Sequence, residues 1–209
     1  MILINVIVDL SHHNTVSDFE VVKRDGILGV IHKATQGTSF VDGEYRDRRK
    51  EALDSGLLWG AYHFGVAGDG KKQAEHFLKT VSPDATDLVV LDFEPNAGQT
   101  MTLKQAERFV ESVHAQIGRY PGLYASQSFL KENLGTNMDT VLQNCFLWIA
   151  RYSSRLPEPP PAFSDFALWQ YTDGQQGPDP HEVKGIGRCD RDKFNGDEAA
   201  LRKLWRVAG

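Results

Sequence analysis

At 209 residues the chain is long enough to bury a substantial core within one domain. With 41% hydrophobic and 24% charged residues, and no apolar run near the roughly 20 residues a membrane helix needs, it offers no helical membrane span. A net charge of −5, with the basic residues scattered among acidic ones, removes the electrostatic footprint of a nucleic-acid binder and favours a neutral polymer or a small polar substrate.

The first eight residues are mostly apolar, lack a basic leader and run straight into Asp9, so they read as a strand and not as a signal peptide. From there short apolar runs recur along the chain: Ile4 to Val8, Ile27 to Ile31, Leu57 to Phe64, Leu88 to Leu91, Gly122 to Ala125, Phe146 to Ala150 and Phe166 to Tyr171. Near-continuous runs of this kind fit parallel strands buried on both faces, and an eighth falls near Ile186 to Cys189.

Amphipathic stretches separate several of the runs. Tyr45, Ala52 and Leu53 before Gly56 predict one helix, and Ala74, Phe77, Leu78 and Val81 before Pro83 another. The clearest starts at Thr102, which with Gln105 makes a capping box; Leu103, Ala106, Phe109, Val110, Val113 and Ile117 follow at helical spacing, and Gly118 stops it. Leu201, Leu204 and Trp205 mark a terminal helix. Between Ser153 and Asp165, four prolines (Pro157, Pro159, Pro160 and Pro161) predict a stiff loop in place of a helix. Alternating strand and helix in this length predicts an α/β fold, a single TIM-like barrel of about eight strands over 1–209 with missing or irregular helices in its last third.

The run Leu88-Val89-Val90-Leu91 leads into Asp92-Phe93-Glu94. Side chains alternate along a strand, so Asp92 and Glu94 share one face, with Cβ atoms about 6 to 7 Å apart, and each charge affects the other's ionisation. Glycoside hydrolysis needs such a pair, one group donating a proton to the leaving oxygen and a charged neighbour balancing the sugar's positive character. An isolated Asp-x-Glu is a weak signal, because two acids at a strand end are ordinarily solvated or salt-bridged. Other strands also end in acids, however, at Asp9 and Asp190, and a barrel collects its strand ends at one mouth, with first and last strands adjacent. Tyr62, Phe64, Tyr124, Trp148, Tyr152, Gln170 and Tyr171 fall near that mouth, flat faces and hydrogen-bonding tips suited to sugar rings.

In their order along the chain, "VDLSHHN", "IHKATQGTSFVD", "GLLWGAYHF", "LDFE", "FLWIARY", "LWQYTDG" and "CDRDKFNG" resemble the strand motifs of the glycoside hydrolase family 25 lysozymes. The resemblance covers nearly the whole chain. It implies a modified β/α barrel lacking later helices and hydrolysis of the β-1,4 bond between N-acetylmuramic acid and N-acetylglucosamine. Glu94 matches the general acid/base and Asp92 its charged partner, while Asp9 and Asp190 complete the acidic cluster, with Asp192 in reserve for Asp190. Asp92 has two readings, a nucleophile or a group that orients the substrate's own acetamido oxygen for attack; the second is favoured. Arg151 within "LWIARY" has no role assigned by the motif.

No cofactor and no metal is expected: His12, His13, His32 and His63 lack ligand spacing and are better suited to hydrogen bonding around the barrel mouth. The expected partner is cell-wall peptidoglycan, met by a monomer without nucleic acid or membrane. Two alternatives are a barrel that binds glycan without cleaving it and a chitinase-like hydrolase. Cys145 and Cys189 are read as free thiols ahead of a bridge. The sequence leaves the setting open among a phage endolysin, a wall-remodelling enzyme and a secreted antibacterial lysozyme.

Overall fold

The computed structural model describes residues 2–206; Met1 and residues 207–209 of the expected 1–209 domain lie outside them. In chain order, β1 (Leu3–Leu10) is followed by α1 (Phe19–Arg24), β2 (Gly29–Gln36), β3 (Phe40–Val41), α2 (Tyr45–Asp54), β4 (Leu58–Phe64), α3 (Gly70–Val81), β5 (Leu88–Asp92), α4 (Leu103–Ile117), β6 (Gly122–Ser126) and α5 (Gln127–Leu134). A 3-10 turn (Val141–Asn144) leads to β7 (Leu147–Ala150), β8 (Leu168–Thr172), the short β9 (Glu182–Val183) and β10 (Gly187–Arg188), then β11 (Asp190–Asn195) and α6 (Glu198–Arg206).

The seven predicted apolar runs become β1, β2, β4, β5, β6, β7 and β8, parallel to one another in sequence order. β1 pairs on one side with β2 and on the other with β11, which closes the barrel. The expected eighth strand near Ile186 to Cys189 is corrected. Gly187 and Arg188 form a small hairpin with β9, and the strand that closes the barrel is β11, antiparallel to both β1 and β8. The reason is connectivity: the segment between β8 and β11 holds no helix to carry the chain back to the far end, so the next strand must run the opposite way. Asp190 therefore begins its strand, yet still lies at the mouth where the parallel strands end.

Helical periodicity and capping hold where they are strong. Thr102 and Gln105 make both bonds of the capping box, and Gly118 ends α4 at φ 74°, a conformation open to glycine at little cost. The proline stretch has no regular structure, and β7 and β8 are joined by an irregular connection.

Strand alternation divides the core into two layers. Val8, Val30, Ala61, Val89, Leu91, Phe93, Leu123 and Ile149 point outward and pack with Phe77, Phe109 and Val110 of the helices. Ile7, Ile31, Leu88, Val90, Leu168 and Phe194 point inward and fill the barrel floor. Gly60 belongs to the inner set, where an added Cβ would lie 3.1 Å from Leu88 and 3.3 Å from Ile31, so the interior has no room for a side chain at that level. Below it Trp205 of α6 joins the inner cluster and donates from its indole to Trp59 O at 2.8 Å, covering the floor. With the bottom filled and covered, the inward positions one step further along each strand are left to line the mouth.

Candidate active site

Continuing the inward set towards the mouth converts apolar residues to polar ones. Ile7 is succeeded by Asp9, Ile31 by Lys33, Gly60 by Tyr62 and Phe64, and Val90 by Asp92 and Glu94; Leu168 is succeeded by Gln170. Phe93, between the two acids, is buried outside the barrel against Phe129 with ring centroids 4.8 Å apart, so alternation persists past the end of β5. Asp9, Ser11, His13, Lys33, Tyr62, Phe64, Asp92, Glu94, Tyr124, Trp148, Tyr152, Gln170 and Asp190 line one cavity of about 320 Å³. The structure thus brings Asp9, Asp92, Glu94 and Asp190 together, along with Tyr62, Phe64, Tyr124, Trp148 and Gln170.

Tyr171 is the exception among the predicted site residues. Gln170 faces the cavity, so its neighbour faces the other way: Tyr171 is fully buried, receives a hydrogen bond from Asn5 at 2.8 Å, donates one to Pro180 O at 2.8 Å, and lies under the Lys193 ammonium. It supports the wall and does not touch the cavity. The histidines divide similarly. His13 reaches the cavity, whereas His32 meets Arg48 and Lys33 O, and His63 is held between Thr35 and Gln73, both rings behind the barrel wall.

A hydrogen-bond relay organises one side of the site. Tyr124 and Tyr152 both donate to Gln170 Oε1, at 2.8 and 3.0 Å, and Gln170 Nε2 donates to Asp9 at 2.8 Å. With its oxygen engaged by two hydroxyls, the Gln170 amide is fixed in orientation and its nitrogen is directed at the carboxylate. Asp9 faces Asp190 across the β1–β11 ladder. Asp192 lies below them, fully buried, with Oδ1 accepting from the Trp148 indole at 2.7 Å. Burial together with the neighbouring acids raises both Asp9 and Asp192 well above the ordinary carboxylate range. Burial and Asp173 push Asp190 up to about 6.

The Asp92 and Glu94 pair occupies the other side. Burial raises Asp92 well above its usual value and the Glu94 charge raises it further; burial also raises Glu94, and the Lys33 ammonium pulls both back. Asp92 Oδ1 is closed off from bulk water and, among the described residues, has no hydrogen-bond partner. A buried acceptor left without a donor carries a desolvation cost.

Lys33 escaped sequence reasoning. Its ammonium donates to Gln36 at 2.7 Å and sits 4.7 Å from the Phe64 ring centroid, which holds it beside the acids. The available signal was its position two residues after Ile31 in an inward-facing strand, the same parity that marks Asp92 after Val90. Ser11, two residues after Asp9, is legible in the same way. Cys145 and Cys189 are both buried free thiols, and burial pushes Cys189 up to about 12 and Cys145 higher still, so neither is a ready nucleophile.

A closed barrel whose acids, aromatics and one buried lysine converge at the mouth is the architecture of a glycosidase site. The family model described as glycosyl hydrolases family 25 matches residues 8–179, and the chain belongs to that family. It is 31% identical over 182 residues to the autolytic lysozyme of Clostridium acetobutylicum, covering 85% of this chain and 52% of that protein. Against lysozyme M1 of Streptomyces globisporus it is 29% identical over 212 residues, covering 94% of this chain and 70% of that one. The chain therefore spans about half the length of the first relative. Among solved structures, a bacterial lysozyme from Streptomyces coelicolor superposes with a TM-score of 0.86 at 27% identity over 99% of both chains.

Proposed function

We propose that this chain is a muramidase, hydrolysing the β-1,4 bond between N-acetylmuramic acid and N-acetylglucosamine in peptidoglycan. The observation that carries the reading is the meeting of Asp92 and Glu94 at the rim of an aromatic-walled, acid-lined cavity.

Glu94, whose proton affinity burial raises, donates its proton to the glycosidic oxygen as the bond to C1 breaks. The carbonyl oxygen of the substrate's 2-acetamido group closes on C1, and the amide nitrogen becomes positively charged in an oxazolinium ring. Asp92, which lines the cavity, accepts that N–H and balances the charge. Glu94, now a carboxylate, takes a proton from the water that opens the ring at C1, so the product keeps its original anomeric configuration and Glu94 regains its proton. Gln170, Tyr124 and Tyr152 hold Asp9 in place at the floor of the sugar site.

Digestion of purified peptidoglycan, followed by borohydride reduction and mass analysis, tests this function. The expected new reducing ends are muramic acid. Glucosamine ends would point to chitinase-like specificity, and wall binding without new ends would leave only a glycan-binding barrel.

Lys33 sets the pH range. Its charge lowers the proton affinity of both Asp92 and Glu94. In a Lys33→Met variant Glu94 keeps its proton to higher pH, moving the alkaline limb of the rate profile upward, and Asp92 also ionises later, moving the acid limb the same way. The whole bell is expected to shift to higher pH; an unchanged or lowered optimum would contradict the placement of that charge.

A further inference from the structure

A second cavity, of about 470 Å³, adjoins the first and shares Glu94, Tyr124 and Tyr152 with it. Its far side holds Arg151 and Lys131. The two spaces have opposite electrostatic character. The first gathers four carboxyls around one lysine, whereas in the second Glu94 at the shared rim faces two cations. An anionic substituent on a sugar bound in the first cavity is repelled there and is attracted into the second.

Arg151 is built for that task. Its backbone is pinned by its own N–H, which donates to Gln170 O at 3.0 Å, and by the Trp169 indole, which donates to its carbonyl at 2.8 Å. Nη1 donates to Gln127 Oε1 at 3.2 Å and to Leu156 O at 2.8 Å, which orients the guanidinium. Among the described residues Nε and Nη2 have no protein partner, leaving two donors of the fork for a carboxylate. Lys131 is looser, 3.7 Å from Glu158 on an exposed rim, and adds charge without fixed geometry.

We propose that this second cavity is a carboxylate subsite, in which Arg151 receives an acid group carried by the muramyl residue. The inference rests on the muramidase reading and names the substrate feature that the same site selects. Two groups present this chemistry: the lactyl acid of a peptide-free strand and the carboxylates of an attached stem peptide.

Three substrates separate the possibilities: peptide-bearing glycan strands, strands stripped by an amidase, and stripped strands whose carboxylates have been converted to methylamides. Wild type is expected to show a KM about tenfold lower for a carboxylate form than for the neutral methylamide form, the scale of one charge-assisted bond. Arg151→Gln keeps an N–H donor near Leu156 O but drops the charge, and it should narrow that gap to under about twofold with little change in kcat. Arg151→Lys should retain part of the gap. A preference confined to peptide-bearing strands assigns the subsite to stem-peptide acids, and one confined to stripped strands assigns it to the lactyl acid. No preference in wild type, or a gap that survives in Arg151→Gln, overturns the subsite. Absence of new reducing ends from all three substrates with wild type would instead overturn the muramidase reading.

Discussion

Glu94→Gln is expected to lower the rate of wall clearance by about 10² to 10⁴ while leaving wall binding in place. The amide is nearly the same size as the acid and keeps a hydrogen-bond donor, so the cavity retains its shape. What it loses is a transferable proton. Departure of a sugar hydroxyl from C1 without protonation generates an alkoxide, and the two charged groups nearest in role do not replace the acid: Asp92 is on the same strand end but faces the acetamido side in the proposed mechanism, and Lys33 is committed to Gln36 and the Phe64 ring. Turbidity of a purified wall suspension, followed beside a sedimentation assay of bound protein, reads both parts. Clearance within a few-fold of wild type would remove Glu94 from the acid role.

Asp92→Asn is expected to cost about 10² to 10³ in kcat with a smaller change in KM, the scale found when one preorganised charge-stabilising group is removed. The carboxylate earns its effect when the oxazolinium charge develops, so the loss falls on the transition state more than on substrate binding. The nucleophile and the orienting readings of Asp92 diverge in inhibition. An orienting role predicts tight competitive inhibition of wild type by a thiazoline mimic of the bicyclic intermediate, weakened in Asp92→Asn. Accumulation of a stable glycosyl ester on Asp92 with a 2-fluoro sugar substrate would instead establish direct attack.

Much of this arrangement was legible in the chain because parallel barrel strands are short, apolar and separated by amphipathic helices. The layering rule then converts residue parity into position: Ile7 and Asp9, or Val90, Asp92 and Glu94, differ only in height along one inner wall. The same rule, applied to Gln170, excludes Tyr171 from the cavity, and applied to Ile31, includes Lys33. Tyr171 adjoins Gln170 in sequence but lies on the opposite face of β8, and Lys33 is a cation on an inner wall otherwise marked by acids.

The closing strand was harder to read. Ile186 to Cys189 looks like an apolar strand that ends in an acid, but direction depends on whether a connection returns the chain to the starting end, and that is a property of the whole segment from Asp173 to Cys189. β1 nevertheless faces β11 with Asp9 opposite Asp190, because adjacency follows from closure whichever way the strand runs. The six-residue α1 and eight-residue α5 were not anticipated, since each spans too few turns for apolar periodicity to repeat; Asp18 and Ser126 cap them, and those side chains were the only local signals. The hydrogen-bond relay through Gln170 joins residues 46 and 161 positions apart and follows from barrel geometry alone.

The most direct measurement compares leaving groups. A muramyl glycoside with a dinitrophenyl leaving group departs without protonation, whereas a sugar leaving group cannot. If Glu94 is the proton donor, Glu94→Gln will release dinitrophenol at close to the wild-type initial rate while its cleavage of glycan strands falls by orders of magnitude. Equal losses on the two substrates would contradict that role.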